Sequence, residues 1–485
     1  MREMRKQDKT IIRAGVRFVK LLDVILVAIP FALCWYLYYT ERTFSPYYYW
    51  GNILVMALFL IIYYFIAHLY GGFPIHIKRI SELMYSQSVA VVVTDCLMYI
   101  IIWLLTKFLP NVIPLLLCLV GQFLCIALWC TLAHKWYFRH FPARNSLIIW
   151  DTREGVGQLL QEYGLDQHFK IEKAVPVNEC LADLYACLQN VEVVFLSGIH
   201  SHDRNKIAKY CIEHDIIMYI IPRVGDVLMS GAMPLHLLHL PMLMLERYNP
   251  TPEYLFFKRV MDIVLSAVAL IIASPVMLIV AVIIKATDGG TVFYRQCRLT
   301  RNGKEFNVLK FRSMRMDAEK DGVARLSTGE QDPRITPIGR FIRKVRIDEL
   351  PQLINILKGE MSIVGPRPER PEIARQYEEE LPEFSLRHQA KAGLTGYAQV
   401  YGKYNTTPYD KLLMDLMYIA KPSLAEDLKI IFATVQILFM PESTEGVSEG
   451  QTTASTLTNN VSSHLNGEPV EESEPEALVN EEDKK

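Results

Sequence analysis

Phe256-Phe257-Lys258-Arg259-Val260-Met261-Asp262 opens an apolar run that continues to about Lys285, with Ser274-Pro275 near its middle. How this stretch is read decides how the chain meets a membrane. At about 1.5 Å of rise per residue, the run is long enough to cross a bilayer as a helix. Basic residues flank both ends, Lys258 and Arg259 before and Lys285 after, and soluble sequence lies on either side. Pro275 removes a backbone hydrogen bond and is expected to kink the helix. The freed carbonyls then need partners, which the Ser274 hydroxyl or nearby headgroups can supply. A re-entrant helix, entering and leaving by one face, satisfies these features; a kinked fifth span is the competing reading.

Downstream, Val292-Phe293-Tyr294-Arg295-Gln296 and the run from Glu305 to Met314 read as strands, joined at a turn marked by Asn302-Gly303. Lys310 and Arg312 alternate with Leu309 and Phe311, giving one cationic face. Arg346-Ile347-Asp348-Glu349-Leu350-Pro351-Gln352 follows, and then Ser362-Ile363-Val364-Gly365-Pro366-Arg367-Pro368. An isolated Asp-Glu pair means little on a solvated helix. This one sits among Arg340, Arg343, Lys344 and Arg346 before it and Arg367 and Arg370 after it. With Lys310 and Arg312 these cations make an anion site, so the region is expected to carry phosphate chemistry at a membrane surface. Crossing by the apolar helix would put that region outside, away from nucleotides. Ile338–Val345 and Leu424–Phe439 are amphipathic at helical spacing, and read equally as interfacial or as core helices.

Upstream, Ser146–Trp150, Val191–Leu196 and Ile216–Ile221 read as strands, with a helical run from Gln158 and an amphipathic one over Asn205–His214. This alternation predicts a parallel α/β sheet of Rossmann type. The first turn holds Gly155 and Gly157, but Leu160 stands where a third fingerprint glycine would be, and Asp151, Arg153 and Glu154 crowd the phosphate position. A structural or regulatory module without a redox cofactor is expected.

Of the 485 residues 51% are hydrophobic, and the formal net charge is −1. Length predicts about three domains, and no nucleic-acid partner is expected. Apolar runs at about Phe18–Tyr39, Asn52–His68, Val89–Leu105 and Val112–Ala133 each approach the length of a span. Arg2, Arg5, Lys6, Lys9, Arg13 and Arg17 precede the first, and Lys78, Arg79, Lys135 and Arg139 follow the second and fourth, which places these segments in the cytoplasm. The aromatic loop Ser45–Trp50 reads as an interfacial belt. Asp23, Asp95 and His68 are the main ionisable residues near these spans, too few for a conduit, and Asp23 and His68 are expected near the watery ends. The bundle reads as an anchor or oligomerisation unit. The nine cysteines lack metal-ligand spacing and read as small core or lipid-facing residues. After Met440 the composition is that of a disordered acidic tail.

Lys258-Arg259-x-x-Asp262, Ser274-Pro275, the Lys310–Met314 run, Asp348–Gln352, Gly365–Pro368 and Gly393-Leu394-Thr395-Gly396-Tyr397-Ala398-Gln399-Val400 occur in order. Over about Phe256–Phe439 this closely resembles the bacterial sugar transferase family, the monotopic polyprenyl-phosphate phosphoglycosyl transferases. The resemblance implies a membrane α-helical bundle (1–140), a Rossmann-like α/β domain (141–250) and an α+β phosphoglycosyl transferase domain (251–440) with a re-entrant membrane helix at 256–285, followed by the tail (441–485). It implies transfer of a sugar 1-phosphate from a UDP-sugar, with glucose or galactose usual, to undecaprenyl phosphate. UMP is released, and the product initiates exopolysaccharide, capsule or O-antigen synthesis at the bacterial inner membrane, the catalytic domain facing the cytoplasm. The position matching the family's nucleophile is Asp348; Glu349 would help to hold Mg²⁺. Lys310, Arg312, Arg346 and Arg367, the last between Pro366 and Pro368, would meet the phosphates, while Lys258, Arg259, Asp262, Ser274 and Pro275 belong to the membrane helix. Membrane lipids are implied partners, and a homodimer is expected.

The chemistry suits these residue types. A carboxylate is already ionised at neutral pH and needs no base to attack phosphorus. Its charge repels a diphosphate, which calls for a metal ion and arginines. Arg367, held between prolines, is a planar donor for a phosphate, or else a salt-bridge partner that fixes the turn. Departures from the common family pattern are Ile347 for Leu, Glu360 for Asp, Ala392 for Pro and Tyr397 for Trp, which leave the sugar open. Asp415 and Tyr418 lie on a later amphipathic helix, where packing is at least as good a reading as a substrate role. A silent membrane scaffold is the alternative function, disfavoured by the intact dyad; a nucleotide-sugar oxidoreductase fails on the missing glycine fingerprint.

Overall fold

The computed structural model describes residues 2–44, 49–75, 78–152, 156–157, 160, 165, 168–237, 239–315, 332, 334–402 and 406–438. Positions 45–48 of the aromatic loop, Arg153, Glu154 and Gly155, most of the helical run expected from Gln158, and the tail after Met440 lie outside them.

Helices α1 (Arg2–Cys34), α2 (Trp50–Leu69), α3 (Ile80–Thr106) and α4 (Ile113–His140) form the N-terminal bundle. Together with one later helix, they make five that are long and apolar enough to cross a membrane. Large residues face outward, as Leu37, Leu54, Leu104 and Leu117 do, where lipid replaces water as solvent. The inward faces interlock through rings: Phe31 stacks on Phe59 at 4.3 Å, and the Trp35 indole donates to Asn52 Oδ1 at 3.1 Å. Asp23 departs from its expected watery position. It is fully enclosed, and its carboxylate accepts from Tyr63 Oη at 3.3 Å and Gln87 Nε2 at 3.1 Å, because those two side chains converge on α1 from α2 and α3. Asp95 is enclosed as well and accepts from Gln122 Nε2 at 3.3 Å.

A four-stranded, all-parallel sheet follows, built from β1 (Arg144–Trp150), β2 (Phe169–Pro176), β3 (Val193–Ser197) and β4 (Ile217–Ile220) in the order β2-β1-β3-β4. The central strands carry continuous apolar runs, Leu147-Ile148-Ile149-Trp150 in β1 and Val193-Val194-Phe195-Leu196 in β3, as a sheet covered on both faces requires. β2 was not foreseen: Lys170, Glu172 and Lys173 break its apolar pattern, which an edge strand tolerates. Helices α5 (Val177–Ala182), α6 (Leu184–Cys187) and α7 (Ser201–Glu213) belong to this domain. The next, α8 (Val224–Ser230), shares a core with the C-terminal domain, where Val227 is buried among Leu412, Leu416 and Ile419. An uncharged antiparallel hairpin, β5 (Met233–Leu237) and β6 (Leu240–Met244), follows it.

Helix α9 (Pro252–Asp288) is 37 residues long. The Thr251 hydroxyl caps its first turn by accepting from Tyr254 N, and Gly289, at φ 70°, closes its end. The backbone stays helical on both sides of Pro275. Ser274 Oγ donates at 2.8 Å to Ile271 O, the carbonyl that Pro275 leaves without a partner. α9 buries Tyr254, Lys258, Asp262 and Ser266 in its first half and Val280 and Ile284 in its second, with no buried residue between Ser266 and Val280. The other faces expose Phe256, Val264, Ile271, Ile272, Leu278, Ile279 and Val282.

The C-terminal domain continues with the hairpin β7 (Phe293–Leu299) and β8 (Glu305–Phe311), whose turn holds Asn302 and Gly303 at φ 61° and 69°. Then come α10 (Pro337–Lys344), α11 (Gln352–Lys358), β9 (Ser362–Val364), α12 (Pro371–Glu380), β10 (Gly393–Thr395), α13 (Tyr397–Tyr401), α14 (Pro408–Ala420) and α15 (Leu424–Leu438). β9 and β10 pair in parallel. Of the two amphipathic segments, α15 is a core helix, with Asp427 and Ile430 fully buried. α10 buries Ile342 and exposes Phe341 beside its arginines. Phe432 of α15 meets Tyr70 of the bundle, ring centroids 5.0 Å apart, so the bundle and the C-terminal domain touch.

Candidate active site

Asp348 and Glu349 share one 3-10 turn, Ile347–Glu349, between α10 and α11. Arg346 enters that turn at φ 55°, in the left-handed region a non-glycine residue rarely occupies, and so turns the chain between the two helices. Glu349 is pinned. Its Oε1 accepts from Lys310 Nζ at 3.1 Å and from Arg367 Nη2 at 3.3 Å. Burial disfavours its charge, but Lys310, Arg367 and Arg346 outweigh that and hold its carboxyl well below the usual range. Asp348 differs: among the described residues no hydrogen bond or ion pair engages its carboxylate. Burial, and then the charge of Glu349, push it up to about 6, against the pull of Lys310, Arg343 and Arg367.

Lys310 comes from β8, and Asn355 fixes where. The Asn355 amide, 1% exposed on α11, accepts from Leu309 N at 3.0 Å and donates to Asn307 O at 2.8 Å, stitching β8 to the helix that follows the dyad. Arg367 comes from the loop after β9, where every carbonyl from Pro366 to Glu369 is held. Pro366 O accepts from Gly393 N, Arg367 O from Arg387 Nη2, Pro368 O from Arg298 Nη1 and Glu369 O from Leu299 N, all at 2.9 Å. Gly365 and Gly393 let the two strand ends meet so closely that a Cβ on either would strike backbone. Behind the loop, Arg387 is paired with Asp415 at 2.7 Å, both almost fully buried, and Glu369 lies between Arg387 and Arg298.

The membrane helix grips the same elements. Arg259 donates to Ile356 O and Leu357 O at 2.7 and 2.8 Å, capping the carbonyls at the end of α11. Asp262 Oδ1 accepts from Ile363 N of β9 at 3.0 Å. Lys258 reaches Asp427 at 3.0 Å, and that carboxylate also accepts from Tyr254 and Tyr418 at 2.9 and 2.8 Å. Tyr418 and Asp415 therefore lie in internal polar networks of the core.

Of the expected phosphate-facing residues, Lys310 and Arg367 meet at Glu349, Arg346 acts on it electrostatically, and Pro366 and Pro368 bracket Arg367. Arg312, also expected there, places its buried guanidinium in the space a Cβ on Gly290 would need, beyond the end of α9. Arg343, noted only as basic context, is near enough to Asp348 to act on it. Asn355, Arg298 and Arg387 were missed. A polar residue between buried Leu353 and Ile356 was the signal for Asn355. Ala392 puts its departure from proline to use, since its N–H donates to Thr300 Oγ1 at 3.1 Å.

Fold and site together define a membrane protein whose C-terminal domain sets an aspartate, unpaired among the described residues, beside a doubly paired glutamate. The sequence pattern of the family described as bacterial sugar transferase matches residues 253–441. The chain is 37% identical over 235 residues to the UDP-N-acetylgalactosamine-undecaprenyl-phosphate N-acetylgalactosaminephosphotransferase of Aeromonas hydrophila, across 48% of this chain and 54% of that one. It is 42% identical over 184 residues to the UDP-glucose:undecaprenyl-phosphate glucose-1-phosphate transferase of Klebsiella pneumoniae, across 37% of this chain and 39% of that one. It is 42% identical over 190 residues to the exopolysaccharide production protein PSS of Rhizobium leguminosarum bv. phaseoli, across 37% of this chain and 94% of that protein. The matches thus span about half or less of the first two relatives and nearly all of the third. This chain belongs to the bacterial sugar transferase family.

Proposed function

We propose that this protein transfers a sugar 1-phosphate from a UDP-sugar to undecaprenyl phosphate through a covalent intermediate on Asp348, releasing UMP and starting assembly of a surface polysaccharide. The observation that carries this reading is the asymmetry of the dyad. Glu349 is neutralised by Lys310 and Arg367, whereas Asp348 is unengaged among the described residues. An Asp348 carboxylate oxygen attacks the sugar-bearing β-phosphorus, the bond from that phosphorus to the bridging oxygen breaks, and UMP leaves with the electron pair. A phosphate oxygen of undecaprenyl phosphate then attacks the same phosphorus, and the acyl-phosphate P–O bond breaks to restore Asp348. Arg367, its side chain 41% exposed, is placed to offer its remaining donors to phosphate oxygens. The donors proposed are UDP-glucose and UDP-galactose; the Aeromonas hydrophila relative's name adds UDP-N-acetylgalactosamine to the panel that UMP release should test.

The donor set fits Mg²⁺, which takes one or two carboxylates together with substrate phosphates. Asp348 and the second Glu349 oxygen, Oε2, which accepts no hydrogen bond among the described residues, would hold it. Bound there, it would offset phosphate charge.

Asp348 must be ionised to attack. Its carboxyl is raised to about 6, so the protonated, inactive form dominates below that pH. Mg²⁺ held there would favour the ionised carboxylate, so UMP release under kcat/KM conditions is expected to rise with pH to a plateau that begins at or below about 6, and to begin lower as Mg²⁺ is raised. A rate that falls as pH rises from 4.5 to 7 would overturn this.

The catalytic domain is proposed to lie on the cytoplasmic face of the inner membrane, with α9 re-entrant and the parallel α/β domain Rossmann-like. Both halves of α9 rest on one domain, the first against Leu353 and Ile356 and the second against Phe311 and Ile342, which supports re-entry over a span. In a cysteine-depleted chain, Glu253→Cys and Ala286→Cys are expected to react with an impermeant maleimide from the same side of sealed vesicles; opposite sides would establish a fifth span. A homodimer is proposed as well. The exposed apolar hairpin β5–β6 supports it, since an isolated hairpin is marginal in stability, and a monomeric mass in detergent would exclude it.

A further inference from the structure

The α/β domain carries a feature that phosphoryl transfer does not use. Cys187 Sγ lies 2.7 Å from Cys180 Sγ, closer than two unbonded sulfurs pack and within about 0.7 Å of a disulfide bond length. The local fold creates this approach. On one continuous helix, residues seven apart would be separated by about 10.5 Å along the axis. Here α5 ends at Ala182, Asp183 leaves the helical region at φ −147° and ψ 89°, and α6 begins at Leu184. The Asp183 carboxylate accepts from Ala186 N at 3.0 Å, which caps α6 and fixes the fold-back. Cys180 is buried in the domain core beside Ile207 and Cys211, while Cys187 is only partly covered. The corner between them is open to solvent at Ala182, Asp183, Tyr185 and Ala186.

We propose that Cys180 and Cys187 form a reversible disulfide, a modification site on the α/β domain made by exchange with a small-molecule disulfide. The Cys187 thiolate, on the more accessible side, attacks one sulfur of the small disulfide and expels the other as a thiolate. The Cys180 thiol then loses its proton to water and attacks the Cys187 sulfur of the mixed disulfide, expelling the second small thiol. Two protein thiols are oxidised, one small disulfide is reduced to two thiols, and no other electron acceptor is needed. The new bond ties α5 to α6 across an exposed corner. Where thiols are otherwise kept reduced, such a pair reports the redox state of its surroundings.

The test uses the full chain in detergent, equilibrated across ratios of reduced to oxidised glutathione and then alkylated with iodoacetamide after denaturation. Trypsin cuts after Lys173 and Arg204, so residues 174–204 form one peptide that holds Cys180 and Cys187 and no other cysteine. The expected result is a peptide 2 Da lighter than the dithiol and unalkylated at oxidising ratios. Dithiothreitol should convert it to the doubly alkylated form, and Cys187→Ser should abolish the mass loss. The oxidised protein is also expected to unfold at a higher temperature than the reduced protein, a difference absent from Cys187→Ser. Double alkylation at every glutathione ratio would overturn the proposal. So would a glutathione adduct on Cys187 that persists without closing onto Cys180.

Discussion

Asp348→Asn is expected to lower UMP release at least about a thousandfold, the scale on which removing a covalent nucleophile acts. The amide matches the carboxylate in size and cannot form the acyl phosphate. The substitution should leave the fold intact, because no hydrogen bond or ion pair among the described residues depends on the Asp348 carboxylate. Glu349→Gln is a useful contrast: it withdraws the charge that Lys310 and Arg367 both meet, and should lower thermal stability as well as rate. The decisive readings are single-turnover UMP release and the intact mass of the protein after mixing with donor alone. Wild type should gain one phosphosugar, and Asp348→Asn should gain none. A variant within tenfold of wild type would leave Asp348 without its proposed role.

Lys258→Met is expected to be strongly destabilising. Its side chain is 9% exposed and that of Asp427 is 0%, so water does not screen the pair. Removing the ammonium leaves a buried carboxylate with, among the described residues, the Tyr254 and Tyr418 hydroxyls as its remaining side-chain partners, which costs about 3–5 kcal/mol. For a domain of this size that corresponds to a fall of roughly ten degrees in unfolding temperature. Adding Asp427→Asn to the same chain should recover most of the loss, since the two hydroxyls meet different oxygens and the neutral amide can accept from one while its NH2 donates to the other. Thermal unfolding in detergent, followed by tryptophan fluorescence, distinguishes the cases. A single variant within a degree or two of wild type would mean that α9 is held by apolar contact alone.

Local chemistry was legible in the sequence wherever short-range rules govern. The Asn302-Gly303 turn, the strands of the α/β domain apart from β2, and the extent of α9 follow from turn preferences, apolar runs and capping signals. The meeting of the dyad with Lys310 and Arg367 was legible because charge of one sign clusters around charge of the other. What stayed hidden depends on how the chain folds back. Arg312, one residue beyond β8, continues the alternation of Lys310, yet its guanidinium lies against Gly290 just past the end of α9 while its N–H donates to Val292 O. Asn355, Asp427 and Arg387 look like ordinary surface residues until the core closes over them. The Cys180–Cys187 approach needs the break at Asp183, which spacing alone does not reveal.

The fully bonded carbonyls between Pro366 and Glu369 bear on how the reaction responds to temperature. A loop with no free backbone acceptors has few alternative conformations, so Arg367 keeps its orientation whether or not a phosphate is near it. If Arg367 meets the reacting phosphate as proposed, its dipole is aligned during folding rather than during each turnover, and little reorganisation accompanies the rise to the transition state. The activation entropy of the chemical step should accordingly be small, with the barrier almost wholly enthalpic.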